Sequence, residues 1–265
     1  MKKICSLAIC VMALLFVACE PIAPEVIGVF SVSETKQVTF SPGNLQYHPA
    51  NNEWRFAESQ FDTIGDANSN ISSTYNGWLD LFGWSTSATH FGVSTSTDNN
   101  DYSGSFVDWG TNKIGSDAPN IWRTLTYDEW DYLRYTRTNA SSLKGVAQVN
   151  GVNGLILLPD NWICPEGITF KSGSHSSPSV DYAAYQTFTV ADWSKLESAG
   201  AVFLPAAGLR SGSDVYYVQR SGRYWSATEY DSYYANFLGF ASGGASMYHY
   251  SRCIGQSVRL VKDLQ

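Results

Sequence analysis

Apolar and polar positions alternate with a period of two at the end of the chain, in QSVRLV (256–261). Val258 and Leu260 take one side, and Ser257, Arg259 and Val261 the other, which predicts a core strand. RYWSAT (223–228) and ANFLGF (235–240) read as two further strands. EYDSYY and ASGGASMYHYSRCI between them have no core-like period and read as connections. At the other end, GVFSVSETKQVTFSPGNLQYHPANNEWRFA (28–57) alternates like two or three strands broken by Ser-Pro-Gly-Asn and Pro-Ala-Asn-Asn turns. From Asp62 to Ile121 the chain is rich in Ser, Thr, Asn and Gly with little periodicity. Trp78, Trp84, Trp109 and Trp122 predict long loops that are ordered, because the indoles would otherwise sit in water.

Two segments have helical signals. In LTYDEWDYLRYTR, Thr126 and Glu129 form a T-x-x-E capping box, Trp130 and Leu133 share a face, and Arg134 and Arg137 suit the C-terminal end. In FTVADWSKLESAG, Thr189 can cap, Trp193 and Leu196 repeat the spacing, and Gly200 stops the helix. Each leads to an apolar strand ending in Leu-Pro, GLILLPDNW (154–162) and AVFLPAAG (201–208). Two helices followed by a run of antiparallel strands predict an α+β domain with helices packed on the sheet.

The start of the chain changes the picture. MKKICSLAICVMALLFVA (1–18) has a Lys2-Lys3 head and an apolar body too short to span a bilayer, the form of a secretory signal. Cys19 follows Ala18, and FVAC resembles the lipobox of bacterial lipoproteins, with Phe16 where Leu is usual. That resemblance implies acylation of Cys19; EPIAPEVIG (20–28), with Pro21 and Pro24, reads as a stiff tether, and the length and aromatic content of residues 28–265 suit one domain. The expected location is the cell envelope, lipid-anchored to the outer membrane and exposed at the surface. Removing residues 1–18 takes away two lysines and no acid, so the net charge falls from −7 to −9. Such a chain is a poor partner for nucleic acid or anionic lipid, and acyl chains rather than a basic patch would hold it at a membrane. Cys164 and Cys253 could pair in an oxidising envelope. The alternative, preferred here, is a buried Cys164 and an incidental Cys253.

Taken in order, W-x-x-L-T-x-x-E-W (122–130), ILLPDNW, FLPAAG, GRYWSAT and G-x-SVRLV resemble the C-type-lectin-like fold. The branch is the bacterial one shared with formylglycine-generating-enzyme-like domains. More narrowly, the chain is similar to lipoprotein-borne variable proteins diversified by retroelements and to their fixed paralogues. The resemblance implies a ligand-binding surface on the last strands, randomised at template adenines. An Asn codon changed at its first two bases encodes Tyr, His, Ser, Arg, Cys, Ile and Asp but never Lys, Glu, Gln, Trp or Met. YHYSRCI (248–254) and YDSYY (230–234) contain only permitted types, and no lysine lies between Lys195 and Lys262.

Composition alone points the same way. Residues 211–254 hold eight of the sixteen tyrosines, eight serines and five glycines, the mixture of antibody contact loops. Tyrosine and arginine are also enriched at binding hot spots. The candidate ligand-binding residues are therefore Tyr230, Asp231, Tyr233, Tyr234, Asn236, Tyr248, His249, Tyr250 and Arg252, facing a protein or cell-surface ligand. A second reading makes the chain a carbohydrate-binding module in which the tryptophan-rich loops at 78–122 stack on sugar rings.

Neither reading is enzymatic. The chain lacks H-E-x-x-H, C-x-x-C, G-x-S-x-G and a phosphate loop, and its four histidines are dispersed. The paired catalytic cysteines of formylglycine-generating enzymes have no counterpart. No cofactor or metal is expected. Calcium on loop carbonyls is the one ion left open: TDNNDYSG begins like an oxygen-ligand loop at Asp98 but has Trp109 where a bidentate Glu would stand.

Overall fold

A computed structural model describes residues 28–264. The signal segment, Cys19 and most of the tether lie outside the described residues. The chain is a mixed α+β structure in which short strands dominate.

Four strands open it: β1 (Phe30–Ser31), β2 (Gln37–Phe40), β3 (Leu45–His48) and β4 (Glu53–Phe56). The predicted turns fall where Pro, Gly and Asn break the alternation. Asn52 adopts a left-handed φ of 52°, which asparagine tolerates better than most residues. After the long loops come β5 (Arg123–Thr124) and helix α1 (Tyr127–Asp131), which continues as a wider π-helical turn over Tyr132–Thr136. The capping box is present in both directions. Thr126 Oγ1 accepts from the Glu129 amide at 3.2 Å, and the Glu129 carboxylate accepts from the Thr126 amide at 3.0 Å. Arg137 closes the other end, donating to the Leu133 and Leu158 carbonyls and pairing with Asp160 at 2.9 Å.

β6 (Lys144–Val149), β7 (Val152–Leu157), β8 (Thr187–Phe188), α2 (Val190–Ser198) and β9 (Val202–Pro205) follow. Thr189 and Asp192 form a second capping box, and Gly200 ends α2 at φ +89°. The sheet here runs β8-β6-β7-β9, with β6 and β8 parallel and the other pairs antiparallel. Trp193 and Leu196 of α2 bury against Ala147, Ile156 and Phe203. α1 instead sends Trp130 and Leu133 into a core with Tyr224, Leu238 and Phe240. That core also holds Val146, Leu155, Leu157 and Leu204, the strand neighbours of the residues under α2, so it lies against the other face of the same sheet as well as the tail sheet.

The remaining strands are β10 (Leu209–Ser211), β11 (Asp214–Tyr216), β12 (Gly222–Glu229), β13 (Tyr234–Ala241), β14 (Gly244–Ser251) and β15 (Leu260–Asp263). Two expectations are corrected here. The third member of the tail sheet, ordered β12-β13-β14, is the stretch read as a connection. β14 is an edge strand whose Ala245 and Met247 alone pack on the core, so it carries no apolar period. The predicted strand at 256–261 is displaced toward the C-terminus, and β15 pairs with β2 and β5 in a separate sheet, β1-β2-β15-β5. Ser257 and Arg259 are as buried as Val258.

The long loops form a third core. Trp84 and Trp109 are fully buried with Phe82, Trp54 and Trp225, and their indole nitrogens donate to the Ser226 and Phe91 carbonyls, both at 2.9 Å. Burying each such side chain stabilises the fold by roughly 1.5–3 kcal/mol, which accounts for order without regular structure. Buried arginines complete the work. Arg210 donates to the Leu81, Ser94 and Gly212 carbonyls, holding three loop segments at once.

The cysteine expectation is reversed. Both are free thiols, but Cys164 is exposed, whereas Cys253 is buried beside Tyr102, Leu209 and Ile254.

Candidate ligand-binding surface

The tail sheet is tied down on both of its sides. Trp225 Nε1 donates to the Phe82 carbonyl at 2.8 Å, and the Tyr224 hydroxyl donates to Pro205 O at 3.0 Å. Burial pushes the Tyr224 phenol above the ordinary tyrosine range. Pairing of β12 with β13 is interrupted between Trp225 and Glu229. The freed groups are taken up locally: Asn236 Nδ2 donates to the Thr228 and Glu229 carbonyls, and Ser226 Oγ donates to Asn236 O at 2.8 Å. Asn236 is accordingly buried and acts as a strut, which corrects its expected place at the ligand face.

The β12–β13 turn projects Tyr230, Asp231 and Tyr233. Asp231 holds it, its Oδ1 accepting from the amides of Tyr233 and Tyr234, both at 2.8 Å. Arg252 fastens the turn from below. Its Nη2 donates to the Asp231 carbonyl and to Glu229 at 2.9 Å, Nη1 reaches Gly104 O, and the guanidinium lies over the Trp84 ring at 4.5 Å. At 2 % exposure Arg252 is interior. Its expected role as a displayed contact is corrected too, because its guanidinium is spent on the Asp231 and Gly104 carbonyls and on Glu229. The run YHYSRCI thus divides: Tyr248, His249 and Tyr250 are displayed on β14, while Arg252, Cys253 and Ile254 are buried.

Tyr230, Tyr233, Tyr234, Tyr248 and Tyr250 are 38–56 % exposed. Strand alternation divides the rings between two sides of the sheet. On one side His249 stacks on Tyr230, with ring centroids 3.8 Å apart and planes 6° from parallel, and meets Tyr234 edge-on at 5.8 Å. On the other side Tyr248 and Tyr250 stand with Phe237 and Arg223, whose guanidinium lies 5.2 Å from the Tyr250 ring centre. The phenols therefore form a ridge along the β14 edge and the adjoining turn rather than one flat patch.

Arg223 was not among the expected contacts. In RYWSAT it sits one residue from a buried tyrosine, and the only hint is that it shares the alternating side of Trp225. Burial pushes its guanidinium below the ordinary arginine range, an effect opposed by the Tyr250 and Tyr217 phenols nearby. Tyr216 and Tyr217, also exposed, were counted in the composition but not placed.

The tryptophans of the loops at 78–122 differ in exposure. Trp84 and Trp109 have no accessible face. Trp78 is covered by Arg55 at 3.8 Å, and Trp122 is tied to Asp117 at 2.8 Å and meets Phe56 edge-on. In the Asp98 loop, Oδ1 accepts from the Asn100 amide and side chain at 2.9 and 2.8 Å, so that carboxylate serves its own turn. Among the described residues no three His, Cys, Asp or Glu side chains converge as a metal site.

A model of a domain of unknown function, DUF8237, matches residues 186–261, a span that contains α2 and the whole tail sheet. No curated protein and no solved structure matches the chain.

Proposed function

We propose that this chain is a ligand-binding lipoprotein of the cell envelope, with a C-type-lectin-like fold, that recognises a protein or cell-surface ligand through the ridge of Tyr230, Tyr233, Tyr234, Tyr248, His249 and Tyr250. One observation carries the reading: five tyrosines and a histidine stay in solvent while the sheet beneath them is fully braced. A fold gains nothing from displaying aromatic rings together, whereas a binding surface gains large contact area at low entropic cost. The ridge acts by contact and not by chemistry, and needs no cofactor.

The resemblance to retroelement-diversified proteins adds a reading of variability. With Arg252, Cys253 and Ile254 committed to the interior, tolerance to random codons is restricted to Tyr248, His249, Tyr250 and the 230–234 turn.

The test has two parts. Cys19→Ser should release the protein from the membrane fraction of the producing cell. Replacing Tyr233, Tyr248 and Tyr250 together by Ala should weaken binding of recovered ligands by well over the roughly 30-fold that one hot-spot side chain supplies. A triple variant that binds every recovered partner with parental affinity would remove the site.

A further inference from the structure

On the side of the sheet that carries Tyr248, the strand register lines up Arg223, Gly239 and Ser246 straight across β12, β13 and β14. Glycine and serine leave this row low. In the row beside it, Trp225 is buried while Phe237 and Tyr248 line an open groove of about 600 Å³. A Cβ at Gly239 would lie 2.8 Å from the Tyr248 ring, so glycine is what keeps the floor clear.

Arg223 at the end of this groove differs from the chain's other arginines. Arg55, Arg123, Arg134, Arg137, Arg210, Arg252 and Arg259 all donate to carbonyls, amides or carboxylates. Arg220 is exposed. Among the described arginines Arg223 alone is half-buried with no side-chain hydrogen bond or ion pair, lying over the Phe237 and Tyr250 rings at 5.5 and 5.2 Å. A desolvated guanidinium with uncommitted donors, in a chain of net charge −7, is a local seat for a carboxylate.

β14 supplies the other half. It pairs only with β13, so the backbone groups on its far edge are free to pair with an added strand. A strand laid along β14 from Ser246 to Tyr250 would point alternate side chains over this side of the sheet, where the Arg223 guanidinium already reaches across β13 to the Tyr250 ring.

We propose that an extended acidic segment of a protein ligand adds to the β14 edge and places an Asp or Glu carboxylate on Arg223. This deepens the reading of the tyrosine ridge as a binding surface and rests on it. The test is selection of random dodecapeptides on the full chain, followed by affinity measurements on synthetic clones. Selected clones should be enriched in Asp and Glu, and changing the acidic residue to its amide should weaken binding about tenfold or more. On Arg223→Gln the acid and amide peptides should bind alike, and Arg223→Lys should restore part of the difference. Bound peptide should slow hydrogen exchange at the 248–250 amides, and an unchanged melting temperature shows each variant folded. Clones that need Tyr248 and Tyr250 but show no acidic preference overturn this inference and leave the ridge standing. Clones indifferent to those tyrosines, or no clones at all, overturn both. Arg223-dependent binding of oligogalacturonate without any acidic peptide assigns the groove to sugar acids and overturns the peptide assignment.

Discussion

The His249 imidazole lies flat on the Tyr230 phenol, 3.8 Å centre to centre, joining the β12–β13 turn to the edge strand β14. The pair fixes the distance between two displayed segments that are not covalent neighbours. It is the reason the turn and the strand present one shape.

Because both rings reach solvent, the stack is worth little to global stability. A double-mutant cycle with Tyr230→Ala and His249→Ala should give a coupling of about 0.5–1 kcal/mol in urea denaturation. A coupling near zero would mean that the rings are neighbours without mutual support.

Arg252 should matter far more. Arg252→Met strands the Asp231 and Gly104 carbonyls and should cost about 3 kcal/mol, with faster exchange at the Tyr233 and Tyr234 amides. Glu229→Gln, whose carboxylate is 65 % exposed, should cost less than about 1 kcal/mol. Similar losses from both would show that the ion pair, not the carbonyl contacts, holds the turn.

The ring stack and the Arg252 contacts differ in how far a sequence conveys them. The Thr126–Glu129 capping box and the Thr189 cap were legible because they are written within four residues, and so were the core tryptophans. β14 was not, since an edge strand with Tyr248 and His249 on opposite sides has no apolar period. Nor was the boundary at Ser251, where Tyr, His and Ser give way to Arg, Cys and Ile without a break. That boundary is drawn by Trp84 and Gly104, more than a hundred residues away. Cys164 and Cys253 exchanged roles for the same reason: burial of a lone thiol depends on which loops arrive beside it.

Asp80 makes a pH prediction. It is buried, accepting from the Ile64 amide and from Asn68, and desolvation pushes its carboxyl up to about 6 from an ordinary 3.8. Between those values the folded chain holds a proton that the unfolded chain has lost, so this group's contribution is greatest in acid and declines as pH rises through about 6. Asp80→Asn has no such titration. Its stability deficit relative to the parent should therefore shrink by up to roughly 3 kcal/mol between pH 4 and pH 7. Denaturation curves at the two pH values decide it, and a deficit that grows with pH would contradict the assignment.

Thiol accessibility offers a quick check of the core around Leu209. A maleimide added to folded protein at neutral pH should modify Cys164 within minutes and Cys253 only in denaturant, as read by peptide mass mapping. Burial also pushes the Cys253 thiol up, which slows it further. Equal labelling would place Cys253 at the surface.

Pairing of β15 with β2 has a consequence for biogenesis. Val261 sits opposite Phe40, so that sheet cannot close until a residue more than two hundred positions further along the chain has been made. Until then β2 has only β1 beside it, and Phe40 lacks the strand that finally covers it.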